Sequence, residues 1–80
     1  DCPDDVKFEV VRELTELYRG KYPIVDTDGV RATFDGGWGL VRSSNTQPIL
    51  VLRFEADTPE ALERIQGIVM EDLERIKKKF

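Results

Sequence analysis

Residues 38–56 read WGLVRSSNTQPILVLRFEA, and the alternation on either side of the polar centre decides the fold. In the second half, Leu50, Leu52, Phe54 and Ala56 share one side of an extended chain. Ile49, Val51, Arg53 and Glu55 share the other, because successive strand side chains point to opposite faces. That second set is half apolar, which predicts a central strand. In the first half, Trp38, Leu40 and Arg42 point one way, and Val41 and Ser43 the other. The residues between these halves therefore join two strands.

Working outward, Asp35-Gly36-Gly37 permits the positive φ angles of a tight connection to a preceding strand. In that strand Val30, Ala32 and Phe34 alternate with Arg31, Thr33 and Asp35. Asp28-Gly29 is a hairpin signal that leads back to a short strand near Ile24. Pro23, which cannot donate to a sheet ladder, places that strand at an edge.

The flanks read as helices. In the first, Val6, Val10, Leu14 and Leu17 fall on one side, with Val11 and Tyr18 adjoining. Asp4 or Asp5 suits its cap and Gly20 its stop. In the second, Thr58 suits the cap and Pro59 the first turn. Leu62, Ile65, Val69, Leu73 and Ile76 then repeat at steps of three and four. Lys77, Lys78 and Lys79 form a solvated helix end, complementary to the negative C-terminal dipole. The order is helix, four hairpin-linked strands, helix. It predicts an α+β two-layer sandwich: a four-stranded antiparallel sheet with two helices on one face.

Eighty residues make a single domain spanning residues 1–80. The chain opens at Asp1 without a Met, which predicts a piece of something longer or a processed product. No apolar run reaches the roughly 18 residues that span a bilayer, and no signal segment opens the chain. The single cysteine, Cys2, reads as an idle thiol and suits a reducing, cytoplasmic home. The net charge of −4 argues against nucleic acid as a partner.

Histidine is absent, so no Ser–His–Asp or Cys–His site can be built from this chain. Asp26-Thr27-Asp28-Gly29 begins like a calcium loop, but Val30 and Gly37 stand where oxygen ligands are required. Asp35-Gly36-Gly37-Trp38-Gly39 is glycine-rich but does not enter a helix, as a dinucleotide site needs. The carboxylates, including Glu13, Glu16, Glu71 and Asp72, lie mostly between apolar helix positions and read as solvated faces.

The loop from Arg42 to Pro48 differs. No Asp or Glu occurs between Trp38 and Phe54, whereas Arg42 and Arg53 both do, so the segment is locally +2. Arg42 offers a planar fork of donors. Ser43, Ser44 and Thr46 offer hydroxyls, and Asn45 and Gln47 offer amides. A tight turn of such residues can aim successive N–H groups at one point and bind an anion. The same residues also build plain surface turns, and both readings stand on spacing alone.

At this loop the chain resembles the C-terminal domain, domain 4, of the α-D-phosphohexomutases. The likeness is greatest to the phosphomannomutase/phosphoglucomutase branch. It runs through CPDD, YPIVDTDGVR, the tryptophan hairpin, VRSSNTQPILVLRFEA and DTPEALERI, and so covers most of the chain. The resemblance implies a TATA-binding-protein-like fold and a domain that holds the phosphate not being transferred. The family loop has the form R-x-S-N-T or R-x-S-G-T. By position this implicates Arg42, Ser44, Asn45 and Thr46 in substrate phosphate binding, with Ser43 and Gln47 as further candidates. Gln47 replaces an acidic residue common there, and Asn45 in place of glycine points away from the phosphoglucosamine branch.

The resemblance also implies that a phosphoserine elsewhere transfers phosphoryl through a bisphosphorylated sugar, and that magnesium serves the full-length enzyme. The partners implied are a hexose phosphate and the other domains of the parent enzyme. Catalytic serine and metal site would lie outside this chain, which alone is expected to be inactive. A different reading from the residues is a non-catalytic α+β module that binds protein or RNA across its sheet, with Ile49 and Val51 as contacts.

Overall fold

The computed structural model describes the chain from residue 4 onward, with side chains from residue 6. Cys2 and the capping expected of Asp4 or Asp5 lie outside the described residues. The elements are α1 (Asp4–Tyr18), β1 (Ile24–Val25), β2 (Val30–Phe34), β3 (Gly37–Ser43), β4 (Leu50–Ala56) and α2 (Pro59–Lys77). The strands form one antiparallel sheet in the order β1-β2-β3-β4. Both helices cover the same face: α1 lies over β2 and β3, and α2 over β3 and β4. This is the two-layer α+β sandwich that the alternation predicts.

The core lies between the layers. Val10, Leu14 and Tyr18 of α1 meet Val30, Ala32 and Phe34 of β2, Val41 of β3, and Ile65, Val69 and Leu73 of α2. Tyr18, Tyr22 and Phe34 close one end, with Tyr18 edge-on to both other rings at 5.2 and 5.9 Å. Thr58 caps α2 as expected, its Oγ1 accepting the Ala61 N–H at 3.1 Å.

Three expectations differ. First, β4 is an edge strand, and β3 and β2 are the central ones. The apolar residues on the outer side of β4 therefore mark a surface, not a place inside the sheet. Second, Leu17 stays exposed while Val11 is buried, because the buried stripe of α1 runs through Val10, Val11, Leu14 and Tyr18. Third, Asp72 is buried, accepting a 2.7 Å hydrogen bond from the Tyr18 hydroxyl.

Candidate functional site

The polar loop connects β3 to β4 at one end of the sheet. Its approach is fixed by the β3 register: Arg42 pairs with Val51, and Ser43 with Leu50. Val41 is buried toward the helices, so Arg42 projects from the opposite, open face. Trp38 and Leu40 share that face. Leu40 stands between Arg31 on one neighbouring strand and Arg53 on the other. The Arg31 guanidinium lies over the Trp38 ring, 5.5 Å from its centroid. The open face thus carries Arg31, Arg42 and Arg53, with Glu55 opposite Trp38. A shallow depression of about 380 Å³ lies on it beside Leu40.

The root of Arg42 is pressed by a neighbouring turn. Gly29 has φ 79°, and a Cβ added there would stand 2.3 Å from the Val41 carbonyl oxygen and 2.5 Å from Arg42 Cβ. Only a glycine lets the Asp28-Gly29 turn lie so close to β3.

Among the described residues, the Arg42 side chain makes no ion pair or hydrogen bond. Arg12 pairs with Glu9, Arg19 with Glu16 and Asp26, and Arg75 with Glu71 and Asp72, whereas the Arg53 side chain, like that of Arg42, has no ion pair or hydrogen bond among the described residues. Arg64 donates to the Asp35 carbonyl. Arg42 is therefore a cation at the loop entrance with no carboxylate partner among the described residues.

Ser44 organises the turn itself. It is buried, and its N–H donates to the Ile49 carbonyl at 3.1 Å. Its Oγ accepts the N–H groups of Thr46 and Gln47 at 3.3 and 3.2 Å. Two successive amides thus converge on one oxygen, as the anion-cradle reading expects of such a turn, but that oxygen is the turn's own hydroxyl. Its proton remains available to donate. Asn45 and Thr46 are exposed beside it, and the Asn45 N–H has no acceptor among the described residues. Ser43 and Asn45 also border a groove of about 430 Å³ that runs along α1 past Thr15.

One member of this site escapes the sequence reading. Lys7 of α1 is 3% exposed. Its ammonium donates to the Ser44 carbonyl, and to the Gln47 carbonyl at 3.0 Å. A signal was present: Lys7 lies three residues before Val10 and four before Val11, on the buried stripe of the helix. A lysine at such a position needs acceptors.

No group of three or more carboxylate or cysteine side chains that could hold a metal ion occurs among the described residues. No helix among them is long and apolar enough to cross a membrane.

Comparison with known proteins bears on the family and the fold. The model of the phosphoglucomutase/phosphomannomutase C-terminal domain family matches residues 2–72. The phosphomannomutase/phosphoglucomutase of Pseudomonas aeruginosa is 47% identical over 74 residues, which are 91% of this chain and 16% of that protein. A Neisseria meningitidis phosphoglucomutase is 61% identical over 61 residues, 74% of this chain and 13% of that protein. Among solved structures, a phosphoglucomutase/phosphomannomutase family protein from Burkholderia thailandensis superposes with a TM-score of 0.73 at 36% identity. That match covers 89% of this chain and 16% of the other. The chain thus spans about a sixth of the length of the Pseudomonas relative. On sequence and on fold, it belongs to the phosphoglucomutase/phosphomannomutase C-terminal domain family.

Proposed function

We propose that this domain binds the non-transferred phosphate of a hexose phosphate in a phosphomannomutase/phosphoglucomutase, through Arg42, Ser44, Asn45 and Thr46. The observation that carries the reading is Arg42, whose guanidinium has no partner among the described residues beside a turn that holds no acid. A dianion there would meet a guanidinium fork, the Asn45 N–H, and the side-chain donors of Ser44, Asn45 and Thr46. The two amides on Ser44 Oγ polarise its hydroxyl, which makes it a better donor. Ser43 and Gln47 flank this set.

Such a cradle selects charge and tetrahedral shape, and is indifferent to which ring carbon bears the phosphate. A mutase that works through a bisphosphorylated sugar must grip phosphate in both orientations, so this indifference suits it. Holding the remote phosphate also orients the reacting end. Nucleophile and metal would come from the rest of such an enzyme, and the 80-residue chain alone is expected to show no turnover.

The alternative of an RNA-binding sheet draws on the three open-face arginines and Trp38. Sheets of that kind stack bases on aromatic rings. Here the ring is a single one, and Arg31 already lies over it.

The test is Arg42→Ala in the full-length enzyme. Loss of a charged hydrogen-bonding group should weaken hexose phosphate binding by about 1.5–3 kcal/mol, measured by calorimetry, with an unchanged circular dichroism spectrum. Unchanged affinity would refute the proposal.

A further inference from the structure

We propose that Lys7 is a positioning residue for the loop, holding it in its donor-outward conformation from beneath. The proposal rests on the reading of Ser44–Thr46 as the phosphate cradle.

Lys7 is among the most buried residues of the chain, and an ammonium withdrawn from water is tolerated only where acceptors surround it. Two of its acceptors are backbone carbonyls, those of Ser44 and Gln47, at the two ends of the turn. One cation on α1 therefore clamps both ends of a loop some 40 residues away in sequence.

The direction of the clamp matters. The peptides of the described residues are trans, so the C=O of Ser44 and the N–H of Asn45 point in opposite directions. A Ser44 carbonyl drawn toward α1 turns the Asn45 N–H away from α1. The Gln47 carbonyl precedes Pro48, which has no N–H, so drawing it inward misdirects no donor. Ile49 N–H reinforces the same carbonyl at 2.8 Å. Two negative carbonyl ends are thereby removed from the face an anion would approach, and a positive charge lies beneath the loop. The loop itself need supply only donors.

The test is kinetic, in the full-length mutase that carries this chain. Lys7→Met keeps the stem and removes the charge and the donors. It should raise KM for the hexose phosphate about tenfold or more, the equivalent of one lost charge-assisted hydrogen bond, with a much smaller change in kcat. Lys7→Arg returns a cationic donor and should recover most of the affinity. A Lys7→Met enzyme with wild-type KM overturns the proposal. So does a Lys7→Arg enzyme no better than Lys7→Met, which would mark Lys7 as packing alone.

If Lys7→Met does not fold, Lys7→Gln replaces it, and the neutral variant must again bind worse than Lys7→Arg. Arg42→Ala distinguishes the two claims. If it raises KM and removal of the Lys7 charge does not, only the role of Lys7 falls. If neither raises KM, the phosphate reading of the loop falls with it.

Discussion

Two independent demands meet at Gly29. Its φ of 79° lies in the left-handed region, where an L-residue is strained by roughly 1–2 kcal/mol. Any Cβ there would also collide with the Val41 carbonyl and the root of Arg42. Gly29→Ala is therefore expected to lower the thermal midpoint and to weaken hexose phosphate binding at the same time, because relief of the collision must move β3 at Arg42. A variant that loses stability but keeps wild-type affinity would show that the turn does not position Arg42. The sequence signals the turn, since Asp-Gly is a hairpin dipeptide. It does not signal the collision, which arises from the packing of one turn against a neighbouring strand. Lys7 was hidden for a related reason: its long stem carries the charge from a helix to a loop distant in sequence, and only tertiary structure names the partner. Ser44 was read as a donor to an anion. Its role as acceptor for Thr46 and Gln47 depends on how the turn folds back, which composition does not specify.

At the scale of elements, local rules predicted more. The period-two alternation of Val30, Ala32 and Phe34 gives a buried-exposed pattern through the whole of β2. Thr58 and Pro59 open α2 where the capping rules place them. Thr58→Ala should accordingly destabilise the domain by about 1 kcal/mol, read from urea unfolding, and should leave hexose phosphate affinity unchanged because the cap lies at the other end of β4 from the loop. The misplaced element is β4. Half-apolar outer residues imply cover, and cover can come from a neighbouring strand or from another surface; the alternation does not separate these. In the fold, Val51 faces the open side next to Arg42. The apolar residues that suggested a central strand thus lie beside the proposed binding site.

At the scale of the molecule, the two helices are tied by a polar contact inside an apolar layer. Tyr18 on α1 donates to Asp72 on α2 across 54 residues of sequence, and both are buried. Burial, and then the hydrogen bond to Asp72, push the Tyr18 hydroxyl well above its ordinary value near 10. The consequence for stability follows from linkage. Below pH 10 the hydroxyl keeps its proton in both folded and unfolded chains, and its contribution is fully present. Above pH 10 the unfolded chain releases the proton and the folded chain retains it, so the folded state binds more protons and stability falls as pH rises. The slope from this one group approaches about 1.4 kcal/mol per pH unit. Tyr18→Phe should remove that component: wild type and variant, compared by urea unfolding from pH 8 to 11.5, should draw together as pH rises above 10. The variant should be the less stable at pH 8, because Asp72 loses a buried donor. Curves that stay parallel through pH 11.5 would show that Tyr18 ionises no later in the fold than out of it, and that the contact between the helices is open to water.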